Sequence, residues 1–342
     1  MVNKKYSFFI IVFTVFLWFL IFFVIPFKET QNQIIFSGET MGTTYEVKFY
    51  QNLSDHHQNI IVAQDIDSIL KSINMQMSTY IPSSDISLIN QDTIISKSFI
   101  VSDEFKYVLD KSLKYYELTN GAFDVTVKPL LKLWGFRGGK VTSKPDSIII
   151  QNTSKHIGSN KVRLIGNQLT KVHPLLQFDF GAIAKGYAVD VISNHLIKKW
   201  GYDVHYVEIG GEIICKGKNW NIQIAYPEFL SNNGYKVVVL NNHSIATSGT
   251  YNQFIEIDDF EYSHIFDPRI GKPVENNIVS VTVISNKSID SDALSTSLKV
   301  LGKDKGLELI NKISNVECMF ILKEDDILKD YYSDKFLSFI LD

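Results

Sequence analysis

Asp292 and Thr296 stand four apart at the start of a helical stretch, so they share one face. A carboxylate and a hydroxyl are hard oxygen donors. Together they suit magnesium, which keeps waters and substrate phosphate oxygens as its other ligands. The same pair also reads as an N-cap aspartate followed by a threonine that only packs. His264 lies among turn-forming residues, with Asp267 and Arg269 close behind. A loop histidine titrates near neutrality and is a candidate general base, or else an ordinary surface histidine. Asp179 and Lys185 flank Gly181, where the pattern predicts a strand end, a tight turn and a helix start. Free N–H groups and the helix dipole at such a start attract phosphate, and Lys185 adds a full positive charge. A packing turn with a surface lysine fits the same residues. Gly210-Gly211 is weak by itself, and neither GxGxxG nor GxxxxGK[ST] occurs. His56 and His57 lack metal-ligand spacing and read as solvated.

These residues need elements to hold them. The helix after Gly181 carries Ala188, Val191, Ile192, His195 and Leu196 on one face, then ends on Lys198, Lys199 and Gly201. Alternation of Tyr45, Val47 and Phe49 predicts a half-buried strand. Helices follow from the stripe Val62, Ile66, Ile69, Leu70 and Ile73, and from the caps at Ser84 and Ser102. Strands are expected over 204–209, 220–226, 237–240 and 278–284, and a final apolar strand near 336–341. Residues 244–251 read as a small-residue turn and 262–273 as a loop. The mixture implies an α/β to α+β fold with several antiparallel strands.

At 342 residues and a net charge of −3, the chain is long enough for one large or two modest domains and gives no electrostatic support for nucleic-acid binding. The two cysteines, Cys215 and Cys318, exclude a disulfide framework and a cysteine metal site. They read as buried small apolar residues, with a single bridge between them left open. Lys4 and Lys5 precede an almost unbroken apolar run from Phe8 to Phe27. Roughly 20 apolar residues span a bilayer core, and the leading lysines favour the cytoplasmic side. No alanine precedes Ala63, so an Ala-x-Ala cleavage site is missing, and no cysteine follows the run for lipid attachment. The expectation is an uncleaved anchor over 1–27, a polar linker over 28–37 and a globular domain over 38–342, on the outer, periplasmic side of the inner membrane.

Met41-Gly42-Thr43, Ser78-Thr79-Tyr80, Gly121-Ala122-Phe123-Asp124, Asp179-Phe180-Gly181-Ala182-Ile183-Ala184-Lys185-Gly186, Gly210-Gly211-Glu212, Thr247-Ser248-Gly249, Ser263-His264-Ile265-Phe266-Asp267-Pro268-Arg269 and Asp292-Ala293-Leu294-Ser295-Thr296 occur in this order. Singly each is weak; in register they are specific. The chain resembles the ApbE-like FAD:protein FMN transferases, formerly described as thiamine biosynthesis lipoproteins, from about Gly38 to the C-terminus. The resemblance implies a fold of mixed or antiparallel sheets flanked by helices. It implies magnesium-dependent cleavage of FAD, transfer of FMN to a threonine or serine of an acceptor protein, and release of AMP. It implies FAD contacts at Met41, Tyr80, Ala122, Phe123, Asp124, Asp179, Lys185 and Ile265. Magnesium ligands are implied at Asp292, Thr296 and the Ala182 carbonyl, and a base at His264. The implied acceptors are subunits of sodium-pumping quinone reductase or Rnf type, or other proteins with an FMN-binding domain. Thr250, Phe266 and Ile270 depart from the family pattern, as does the missing lipidation cysteine. Rival readings are a FAD pyrophosphatase giving FMN and AMP, and a non-catalytic FAD-binding protein.

Overall fold

The computed structural model describes residues 32–51, 56–138, 141, 143–226, 234–249, 254–258 and 260–341. The expected anchor over 1–27 lies outside the described residues, as do Gly139 and Thr250. Among the described residues no helix is long and apolar enough to cross a membrane.

An antiparallel sheet of eight strands forms the frame. Numbered along this sheet, its strands are β1 (Asn32–Thr40), β2 (Thr43–Gln51), β3 (His205–Ile209), β4 (Glu212–Lys216), β5 (His243–Gly249), β6 (Ile278–Ser285), β7 (Glu317–Glu324) and β8 (Ile327–Tyr332). Their spatial order is their sequence order, so the sheet is a meander with long insertions at some of its turns. β1 begins at Asn32, paired with Gln51, which places residues 32–37 in the sheet rather than in a linker.

Helices α1 (His56–Met77), α2 (Asp85–Gln91), α3 (Asp103–Leu118), α4 (Lys128–Leu133), α5 (Ser147–Ser154) and α6 (Ala184–Trp200) fill the insertion between β2 and β3. α7 (Ser288–Leu301) and α8 (Lys303–Ile310) fill that between β6 and β7. Side chains alternate across a strand, and β7 shows the consequence. Cys318, Phe320 and Leu322 enter the large core shared with α1, α3, α6 and α7. Met319 and Ile321 enter a second core on the other face, under the hairpin of Trp220–Ala225 and Gly234–Leu240. Cys215 lies in that second core and Cys318 in the first, so the cysteines are free and burial pushes both thiols up to about 12.

The structure differs from the sequence pattern at three further places. Of the expected turn over 244–251, residues 244–249 belong to the strand β5, paired with both β4 and β6, and the rest lies outside the described residues. Its small residues leave room for α7, whose hydroxyls bond to those of β5. The expected terminal strand is a 3-10 turn, Phe336–Phe339, with Phe336 plugging the second core and a single bridge from Ile340 to Val238. The expected loop over 262–273 contains the end of one ribbon, Phe254–Ile257 with Phe260–Ser263, and all of a second, Phe266–Asp267 with Lys272–Pro273.

His205 on β3 is fully buried. Its Nδ1–H donates to the Tyr202 carbonyl at 2.7 Å, and its Nε2 lies 2.7 Å from the Ser193 hydroxyl. Burial holds the ring neutral and pushes its pKa down to about 4. A base depressed in the fold contributes stability above its unfolded pKa of about 6.5, lost as pH falls through the folded value. Urea unfolding between pH 7 and pH 4 is therefore expected to lose roughly 3 kcal/mol to this residue. His205→Gln should flatten that limb of the pH curve; an unchanged slope would contradict the assignment. Asp190, raised to about 6, titrates in both proteins and cancels in the comparison.

Candidate active site

α6 and α7 cap one another. Asp190 of α6 accepts from the backbone of Ser288 and Ile289 at 2.8 and 3.0 Å, at the start of α7. Asp292 of α7 returns the bond, its Oδ2 accepting from Gly186 N–H at 2.9 Å in the first turn of α6. Such exchange satisfies helix-end donors that would otherwise be orphaned. The close approach requires glycine: a Cβ at Gly186 would lie 2.3 Å from the Ser288 carbonyl oxygen and 2.8 Å from Asp292 Cβ. The anion at the α6 N-terminus is therefore Asp292 itself. Because Gly186 N–H turns to Asp292, it does not close a helical bond onto the Ala182 carbonyl.

Lys185 Nζ donates to Glu212 Oε1 at 2.7 Å. Glu212 Oε2 is buried and has no hydrogen-bond partner among the described residues. Burial pushes the Glu212 and Asp292 carboxyls up, Asp292's charge adds to the effect on Glu212, and Lys185 opposes it on both. Lys185 itself is held above its ordinary value against burial by Glu212 and Asp292. One ammonium thus faces two buried carboxyls, and with both ionised the cluster is one positive charge short. Asp292, the Thr296 hydroxyl and the Ala182 carbonyl are hard oxygens, and this charge deficit is what a magnesium ion would fill. The set has one carboxylate; among the described residues no cluster of three His, Cys, Asp or Glu side chains could hold a metal.

Asp179 and Tyr80 meet through Arg137, which the sequence pattern did not single out. Arg137 Nε donates to Asp179 Oδ2 at 2.7 Å and Nη1 to the Tyr80 hydroxyl at 3.0 Å. Burial alone would raise the Asp179 pKa, but the guanidinium and the Gly181 N–H outweigh it and hold the carboxyl below its usual range. Tyr80 stays 72% exposed, its ring available for stacking. Arg137→Ala strands a buried carboxylate and releases Tyr80. With Asp179 and Tyr80 contacting FAD as the resemblance implies, FAD affinity should fall about tenfold or more, read by fluorescence titration, the scale for hydrogen bonds to a charged group; unchanged affinity would remove Arg137 from the site.

Ala122 and Ile265 pack together with Val300, one turn beyond Thr296 on α7. That contact draws the His264 loop and the Gly121-Ala122 turn to the helix carrying Asp292 and Thr296. His264 is half-buried. Met41 occupies the β1–β2 turn with φ of 52°, an uncommon left-handed conformation for such a residue. The turn lies beside Gly210, where a Cβ would meet Thr43 at 2.7 Å.

Two residues of the implied FAD set have side chains engaged inside the protein. The Phe123 ring is 2% exposed and packs edge-on against Tyr115. The Asp124 carboxylate accepts from the backbone and hydroxyl groups of both Thr126 and Ser159, at 2.7 to 3.2 Å. It fastens the 124–126 turn to the 158–159 turn. Glu212 was legible only as the end of a Gly-Gly-Glu turn, and its ion pair with Lys185 needed the fold.

The mixed α and β fold thus brings two carboxyls, a lysine and a freed carbonyl together at a helix junction. The chain belongs to the ApbE family, whose profile matches residues 41–320. It is 37% identical over 322 residues to the FAD:protein FMN transferase of Vibrio cholerae, covering 92% of this chain and 94% of that one. It is 31% identical over 327 residues to the Escherichia coli K12 protein of the same name, covering 92% of each. Among solved structures, flavin transferase ApbE from Vibrio cholerae superposes with a TM-score of 0.82 at 36% identity, covering 91% of this chain and 100% of that one. The apo flavinyl transferase ApbE of Pseudomonas stutzeri gives 0.79 at 32% identity, covering 90% and 97%.

Proposed function

We propose that this protein transfers the FMN moiety of FAD to a threonine or serine hydroxyl of an acceptor protein, releasing AMP. The observation that carries the reading is the α6–α7 junction. There Asp292, Thr296, the Ala182 carbonyl and Lys185 present charge and hard oxygens suited to a diphosphate and its magnesium ion. Transfer between phosphates and hydroxyls needs positioning and charge neutralisation more than covalent work by the enzyme.

The acceptor oxygen attacks the FMN-side phosphorus of FAD. The phosphorus–oxygen bond to the AMP phosphate breaks, and AMP departs with the bridging oxygen. His264 takes the hydroxyl proton. Lys185 balances charge on the diphosphate, and Tyr80, steadied by Arg137, offers a face to an aromatic ring. Magnesium, held by Asp292, Thr296 and the Ala182 carbonyl, would polarise the phosphoryl oxygens.

The acceptor class is a membrane redox subunit of sodium-pumping quinone reductase or Rnf type, or a protein with an FMN-binding domain. The apolar run at the N-terminus supports an anchor in the inner membrane with the catalytic domain on the outer face. Incubating the protein with FAD, magnesium and such a domain should give a fluorescent acceptor band on a denaturing gel. Replacing the acceptor's threonine or serine by alanine should abolish the band. A band that survives that replacement would refute hydroxyl transfer.

A further inference from the structure

α7 lies across β5, and hydroxyl groups line the contact. Ser248 Oγ of β5 is 2.8 Å from Ser295 Oγ and 3.1 Å from Thr296 Oγ1. Ser295 Oγ also bonds to the Asp292 backbone carbonyl at 2.9 Å. A hydroxyl has one proton to donate and lone pairs to accept with. The Asp292 carbonyl can only accept, so the Ser295 proton is spent there. Ser248 must then donate to Ser295. With the Ser248 proton spent, Thr296 must donate to Ser248. The chain runs in one direction, from Thr296 through Ser248 and Ser295 to the carbonyl of Asp292, and so ties the two candidate ligand residues together.

We infer that Ser248 and Ser295 are positioning residues that orient the Thr296 hydroxyl with its proton in the helix–sheet contact and a lone pair toward the site. This rests on the reading of Asp292 and Thr296 as ligands of a divalent cation. A hydroxyl pointing its proton outward would repel the cation; one whose proton is already taken binds it as a neutral oxygen donor. The neighbouring hydroxyls of Ser244, Ser285 and Ser291 form a separate cluster, bonded among themselves at 2.7 to 3.2 Å, with a further Ser285 bond to the Lys287 carbonyl at 2.7 Å. They knit α7 to the sheet without reaching a ligand side chain.

The test measures thermal stabilisation of the FAD-free protein by magnesium, and by manganese in parallel, over a range of metal concentrations. Thr296→Ala marks the loss of the ligand itself. Ser248→Ala and Ser295→Ala should each shift the metal midpoint upward about tenfold, the usual scale for groups that orient a ligand. Ser248→Thr keeps the hydroxyl and should return the midpoint toward wild type. Turnover in the alanine variants should recover at saturating magnesium, which a merely misfolded site would not do. The melting temperature without metal is the folding control, and the two Ser248 variants keep the test decisive if Ser295→Ala is unstable. Wild-type midpoints in both alanine variants, with Thr296→Ala displaced, would overturn the relay and leave the metal site standing. Absence of any metal response in wild type would overturn the metal reading and the relay with it.

Discussion

Asp292→Ala is expected to slow FMN transfer by a hundredfold or more, the scale for losing a principal charge-stabilising group. Two effects combine. The variant removes a proposed oxygen ligand and half the acidic partnership around Lys185. It also frees the Gly186 N–H, which Asp292 now accepts at 2.9 Å, and so loosens the start of α6. Asp292→Asn separates these effects. Its side-chain oxygen can still accept from Gly186, while the charge is gone. The melting temperature of the asparagine protein should stay closer to wild type than that of the alanine protein, with both nearly inactive. Substantial transfer by either variant at modest magnesium would contradict the site.

His264→Ala is expected to lower transfer by about a hundred- to ten-thousandfold, the range for a general base. The loss should fall on turnover, with FAD affinity little changed, because the role proposed for His264 is at the acceptor oxygen. Added imidazole should restore part of the rate. Ile265 fixes the loop through Ala122 and Val300, so removal of the neighbouring imidazole leaves that packing in place. Undiminished transfer would take the base role from His264, whereas an equal loss of FAD binding would reassign it to substrate holding.

Much of the frame can be read from local pattern. The alternation of Tyr45, Val47 and Phe49 is a strand with those three side chains buried. The helix after Gly181 ends at Gly201 in a left-handed cap, as Lys198-Lys199 and the glycine suggest. What local pattern lacks is the partner across space. Residues 244–249 are too small to signal a strand by hydrophobic alternation, yet small size is what α7 requires of β5. Phe336 and Phe339 have the composition of a strand, and the second core makes a plug of them. At the site, Asp179 and Lys185 sit in a recognisable turn, but the groups that set their charge, Arg137 and Glu212, come from remote segments. Phe123 and Asp124 show the converse: a motif gives residue types without saying which side chains the interior has already claimed.

The most direct measurement is the stoichiometry of products when the full-length protein turns over FAD with magnesium and an excess of acceptor domain. AMP and acceptor-bound flavin, quantified in the same reaction, should rise together one to one. AMP accompanied by free FMN and an unlabelled acceptor would contradict the transferase account and make the protein a pyrophosphatase.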